Sequence, residues 1–289
     1  MSDGADIERT DAVIEGIKAE IDVASPSRRR RILETIALAA LSSIPWIGGV
    51  LAAAATFKFD DAGVRQDELR TQWLKEHQRK LEGLRSTLQS IFVRFESLGD
   101  EIEDRIESEE YLGLVRKAFR AWDQAESEQK QRLIIHLITN AAGTRICTDD
   151  ILRLFLDWID LYHEAHFEVI GEIYKNPGPT RYDIWVAIYG PNVPRDDSAE
   201  ADLYKMLIRD LSMGGVIRQP RETDALGRFR KKTTPPRRVS KSATMESPFE
   251  DTKQYVLTEL GDQFVHYTMT ELVARLGEGE HADPPQSPA

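Results

Sequence analysis

An uncharged run of 23 residues, positions 35–57, reads TIALAALSSIPWIGGVLAAAATF and closely follows Arg28, Arg29, Arg30 and Arg31. As one helix it would reach about 35 Å, enough for the ~30 Å hydrocarbon core of a bilayer. Pro45, Gly48 and Gly49 interrupt it near the middle, so two short arms joined near Pro45 fit equally well. Each arm of about eleven residues would span ~16 Å, too short to cross but long enough for a re-entrant loop or a buried hairpin. The arginines ahead of the run, with only Lys58 close behind it and Asp60 and Asp61 beyond, would hold its amino-terminal side in the cytoplasm. A permanent single span would then export a downstream region that reads as cytoplasmic. Two readings remain open. In one, the segment is stowed in the dormant protein and released to the inner membrane, with Ile44, Pro45, Trp46, Ile47, Gly48, Gly49, Val50 and Leu51 inserting and Arg28 to Arg31 as the basic flank. In the other, the segment is a helical hairpin buried as core.

Composition bounds the rest. A chain of 289 residues with 41% hydrophobic and 30% charged residues has enough apolar material for a packed core and is not globally disordered. Its single cysteine, Cys147, excludes an internal disulfide framework and any zinc site built on several thiolates, so a cytoplasmic location is expected. The net charge of −11 opposes general attraction to phosphate backbones or anionic lipid, except where basic residues cluster.

Residues 1–24 read as an acidic amphipathic helix, with Ile7, Ile14, Ile17 and Ile21 on one face and no positive start of the kind a secretory signal carries. Residues 25–61 hold the basic flank and the apolar segment, and residues 62–160 read as a helical bundle or coiled coil. A long helix is predicted from about Val64 to Ile106, its seam formed by Leu74, Leu81, Leu84, Leu88, Ile91, Phe95, Leu98 and Ile102, with His77 as the break. A 3.5-residue repeat of this kind keeps a narrow stripe against a partner, either a second copy or another helix of the same chain. The oligomer seam would be Leu81, Leu84, Leu88, Ile91, Phe95 and Leu98; Phe92 widens the stripe toward a bundle. The acidic stretch Asp100 to Glu110 is expected to be a solvated face and turn. Helices are then predicted over 111–122, 127–142 and 148–160, the last with Thr148 as N-cap.

The remaining part, residues 161–276, has a different rhythm. A helix ends at the NPGP turn, Thr180 and Ser198 cap two more, MGG ends the third, and short strands are predicted at 216–219 and 254–257 before a last helix after Thr258. Here LIRDLSMGGVI followed by YVLTELGDQFVHY resembles the third helix, wing and closing helix of bacterial winged-helix domains. The fold class expected is thus mainly α, an apolar segment and long-helix bundle followed by a winged helix with a small β-wing. That fold serves many roles.

DNA readout through the third helix is not expected, because Asp196, Asp197, Glu200 and Asp202 crowd the end that would meet phosphates. The wing loop, 221–253, is different. Between Arg221 and Lys241 it carries eight basic and two acidic residues, among them Arg228, Arg230, Lys231, Lys232, Arg237 and Arg238, a composition suited to an acidic partner, nucleic acid or anionic lipid or to a solvated insertion. Residues 277–289 are expected to be disordered.

Catalytic motifs are not evident. His163 and His166 in HEAH lie three apart rather than four, unlike the helical zinc motif, and Cys147 has only Arg145 nearby to activate it. Phosphate-binding, dinucleotide and nucleophile-elbow loops are missing from the sequence, so no enzyme, cofactor or metal is expected. The order of parts over residues 28–175, a basic flank, SIPWIGGVLAAA, a heptad helix and RLIIHLITNAAG, is similar to the abortive-infection alpha family of bacterial proteins. The resemblance implies defence against phage with membrane disruption as one output, and carries over Pro45, Gly48 and Gly49 alone. The interrupted run is short for a pore-forming hairpin.

Overall fold

The structure, a computed structural model, describes residues 27–47, 80–95, 98, 102–220 and 247–269. The described chain is mainly helical with one two-stranded sheet. It divides into two compact units, the first ending at Asp157 and the second Trp158–Thr270. The predicted acidic helix 1–24 and the tail 277–289 lie outside the described residues.

In the first unit, α1 (Ser27–Ser43) lies against α4 (Glu109–Gln124). Its contact face is alanine-rich: Ala37, Ala39 and Ala40 are buried together with Ile36. Small side chains on such a face let two helix axes approach closely. The chain leaves helical geometry at Ile44 and makes a further turn over 45–47. Among the described residues, no helix is long and apolar enough to cross a membrane.

Among the described residues helix α2 is seen over 80–95, and its seam residues Leu81, Leu84, Leu88, Ile91 and Phe95 are all buried within the single chain. Positions 64–79 of the predicted long helix, with Leu74 and His77, lie outside the described residues. Leu98 stands at half-buried depth, its side chain against Gly143. The long helix predicted to Ile106 does not run through: Ile102 is a 3₁₀ residue and α3 (Glu103–Ile106) is a short helix of its own, closed at Glu107. The acidic stretch expected to be a solvated face and turn is one at Asp104, Glu107, Glu109 and Glu110, which are exposed, with the chain turning at Glu107 and Ser108. Ile102, Glu103, Arg105 and Ile106 are buried between them, Arg105 meeting Asp149, the Ala141 carbonyl and the face of the Tyr111 ring.

Helix α4 is strongly amphipathic, burying Tyr111, Leu114, Val115, Ala118, Phe119 and Trp122, and Ser108 caps its start by accepting from the Tyr111 amide. It packs on α5 (Glu128–Gly143), capped by Ser127. The Tyr111 hydroxyl, fully buried, donates to the Ile138 carbonyl at 2.7 Å. Burial pushes that phenol well above its ordinary titration range, against a smaller opposing pull from Arg105. Helix α6 (Asp149–Leu161) follows, with the Thr148 carbonyl taking the amides of Ile151 and Leu152.

The second unit is built around α7 (Glu164–Lys175), which contacts α8 (Arg181–Tyr189), α9 (Ala199–Met213), the strand β2 (Val256–Leu257) and α10 (Glu259–Thr268). Its aromatic core has two clusters. Trp158 and Phe167 each meet Phe264, while Trp185, Tyr204 and Phe249 pack face and edge at 5.0 to 5.7 Å. The NPGP turn works through Gly178, whose φ of 92° suits glycine. Gly178 donates to the Tyr255 carbonyl, Tyr255 donates back to Pro179, and Thr180 bridges antiparallel to Gln254. Thr180 and Asp183 then form a reciprocal cap on α8.

Gly215, at φ 75°, ends the α9 turn and delivers the chain into β1 (Ile217–Arg218). This strand pairs antiparallel with β2, Ile217 opposite Leu257 and Arg218 opposite Val256. Thr258 closes the arrangement: its amide donates to the Val216 carbonyl, its hydroxyl to Gly215, and its oxygen accepts from Gly261.

Candidate partner-binding surface

The residues singled out in the apolar segment divide by burial. Ile44 and Ile47 are at most 5% exposed, and Pro45 is exposed. The Trp46 indole donates to Asp123 Oδ1 at 2.6 Å, tying the end of the segment to α4, and Lys80 lies 6.0 Å from its ring centroid. Of the inserting residues named from the sequence, Ile44, Trp46 and Ile47 are therefore part of the first unit's packing, and Pro45 is not. Gly48, Gly49, Val50 and Leu51 lie outside the described residues. Arg28 to Arg31 belong to the first turns of α1. The basic wing residues Arg228, Arg230, Lys231, Lys232, Arg237 and Arg238 also lie outside the described residues.

HEAH has a local structural role. His163 is the N-cap of α7 and its amide donates to His166 Nδ1 at 3.1 Å, while the His166 ring stacks on Tyr162 at 5.0 Å. That hydrogen bond requires an unprotonated Nδ1. Among the described residues, no group of His, Cys, Asp and Glu could hold a metal ion.

A surface that sequence reading noticed only for its acidity is the outer face of α9. The helix buries Ala201, Tyr204, Leu207, Ile208 and Leu211 against its unit, a stripe that spacing alone predicts. The opposite side then carries Asp202, Met206, Arg209 and Met213, flanked by Leu203 and Asp210. Leu203 is 52% exposed and Met213 80%, with Met206 half-buried between them. Three apolar side chains thus lie along a solvent face at steps of three and seven residues, with the exposed Arg209 between Met206 and Met213.

Acidic groups surround the start of this stripe. Ser198 caps α9 by accepting from the Ala201 amide, and Glu200 folds onto its own amide and Ser198, which holds its carboxyl below the usual range. Asp196 accepts from Ser247, and Asp197 is engaged by Arg195 in a two-pronged, exposed pair. Further along, Arg209 turns to its neighbour Asp210. Five acidic and three basic residues lie between Arg195 and Met213. Sequence reading missed the apolar stripe because helix periodicity locates the buried face but does not flag an uncovered leucine and two methionines opposite it.

No protein-family model, no curated protein and no solved structure matches this chain.

Proposed function

We propose that this chain is a non-catalytic adaptor, in which the apolar segment serves as core of a helical scaffold and the second unit is a winged-helix module that engages a protein partner. The observation that carries the reading is the burial of Ile36, Ala40, Ile44 and Ile47, with Trp46 held by Asp123. Moving these side chains into lipid would trade one apolar surrounding for another, but would forfeit their interior packing and the Trp46–Asp123 hydrogen bond, the latter alone about 1.5 to 3 kcal/mol for a bond to a charged group. The order helix α7, bridge at Thr180, helices α8 and α9, strand β1, strand β2 supports the winged-helix reading, because the bridge places a third extended position beside the hairpin.

The acidic approach to α9 favours a protein over DNA as partner, since nucleic acid would bring phosphates against Asp196, Asp197 and Asp202. The setting we propose, from the resemblance of the amino-terminal half to abortive-infection alpha proteins, is bacterial defence against phage.

Vesicle flotation with dye leakage tests the adaptor reading against a membrane-acting effector. The purified chain should stay with the aqueous fraction over vesicles of phosphatidylethanolamine and phosphatidylglycerol and release no dye. Leakage lost in Ile47→Asp, with the variant still folded by circular dichroism, would overturn the reading in favour of the effector. Salt-dependent DNA binding lost on neutralising Arg230, Lys231 and Lys232 would replace the protein partner by nucleic acid.

A further inference from the structure

We infer that the outer face of α9 is a docking site for a basic amphipathic helix of another protein, its apolar residues seated on Leu203, Met206 and Met213 and its cations beside Asp202 and the acidic residues at the helix start. This deepens the adaptor reading and rests on it. Isolated exposed apolar residues need no explanation, but a row of three along one helix is a surface a partner helix can cover at matching spacing. Methionine suits such a surface because its unbranched, polarizable side chain adapts to the groove it meets.

Charge complementarity selects the occupant. Asp196, Asp197, Glu200 and Asp202 gather where the stripe begins, against Arg195 on the same approach. Lys205 projects from the opposite flank, and Arg209 is drawn to Asp210. An acidic or nucleic-acid ligand would meet repulsion at the start of α9, whereas a lysine- or arginine-bearing helix would gain there and lose little at the other end. A second copy of the same face would oppose like charges at Asp202.

The test uses the full chain labelled at methionine methyl carbons, whose five methionines are Met1, Met206, Met213, Met245 and Met269. The probe is an 18-residue helical peptide of leucine and lysine with leucines at positions i, i+3, i+4 and i+7, paired with the same peptide carrying glutamate for lysine. The basic peptide should shift the Met206 and Met213 methyl signals saturably and leave Met269 in place. Leu203→Gln should weaken it about tenfold, and Asp202→Asn should weaken it and flatten its salt dependence.

Failure of the basic peptide to move Met206 and Met213, equal binding of the acidic peptide, or binding indifferent to Leu203→Gln would overturn the inference. So would Met206 and Met213 signals that move with protein concentration alone, which would make the occupant a second copy. A chain that passes the flotation test yet fails here leaves the adaptor reading standing without this site. A chain that leaks vesicles loses the reading itself.

Discussion

Arg105 grips Asp149 across 44 positions of sequence, its Nη1 donating to Oδ2 at 3.0 Å and its Nη2 to Oδ1. Asp149 is the first residue of α6, so this fork joins the short helix α3 to the start of a helix that begins after two intervening elements. A carboxylate at a helix start is also favoured by the amides there. The same guanidinium donates from Nε to the Ala141 carbonyl and lies 5.2 Å from the Tyr111 ring centroid, which accounts for a charged group in the interior of the first unit.

Removing one partner should leave the other short of its hydrogen bonds. Arg105→Met should cost about 3 kcal/mol and Asp149→Asn about 1 to 2 kcal/mol. Denaturant unfolding measures both, and the double variant Arg105→Met with Asp149→Leu should recover part of the loss. Single-variant losses that simply add would show that the two side chains act independently.

The pair also sets an acid limit. Hydrogen bonds from Arg105 hold the Asp149 carboxyl below the ordinary carboxylate range, outweighing the opposing effect of burial. Its contribution to stability is complete above the unfolded value of about 3.9 and is lost as pH falls through the lower folded value. Unfolding midpoints measured between pH 5 and 2 should therefore decline less steeply in Asp149→Asn.

Two glycines should respond to alanine with opposite sign. A Cβ at Gly261 would collide with the backbone carbonyl of Val216, where α10 crosses the entry to β1. Gly171 in α7 has nothing within 4 Å of such an atom. Gly171→Ala should stabilise by about 0.5 to 1 kcal/mol through helix propensity, and Gly261→Ala should destabilise despite the same propensity gain. Equal thermal shifts in the two variants would contradict the close approach of α10 to Val216.

The segment that ends at Ile47 should behave as core. Ile44→Asp places a charge at a site 2% exposed and should destabilise by about 4 kcal/mol or more. Asp123→Ala removes the acceptor of the Trp46 indole and should cost about 1 to 2 kcal/mol. Leu38→Asp supplies the contrast, since Leu38 lies on α1 just ahead of Ile44 at 67% exposure and its replacement should change the melting temperature little.

His266 should weaken the second unit on mild acidification. Burial lowers its pKa, only partly offset by Asp262, so the folded form resists the proton that the unfolded chain accepts near pH 6.5. The associated stability is present above that value and drains away as pH falls through the lower folded one. Melting temperatures recorded from pH 7 to 5 should fall less in His266→Gln than in the parent chain.

Local rules carried sequence reading a long way. Thr180 and Ser198, the caps expected from the sequence, stand as N-caps of α8 and α9, because a short polar side chain that accepts an amide hydrogen bond acts within three residues of itself. The strands at 217–218 and 256–257 lie inside the positions where strands were predicted, framed by the MGG turn and Thr258. Sequence reading overran at residue 102, where the heptad spacing of Leu98 and Ile102 continues although Glu103–Ile106 form a short helix of their own.

The candidate surface was half legible. The acidic start of α9 stands in the sequence, whereas the exposure of Leu203 and Met213 depends on which neighbours cover them. Leucine and methionine occur on both faces of helices, so identity alone does not assign them to solvent.

By itself the sequence determined most helix starts, which side of each helix is apolar, and how the strand pair is framed, since these follow from contacts a few residues apart. Tertiary structure decided the rest. It sets Ile36, Ala40 and Ile44 in the interior, closes the α2 seam within one chain, buries Arg105 against Asp149, and leaves Leu203 and Met213 uncovered. An apolar side chain gains by leaving water whether it enters a protein core, a second copy or a bilayer, and only the arrangement of distant segments selects among them.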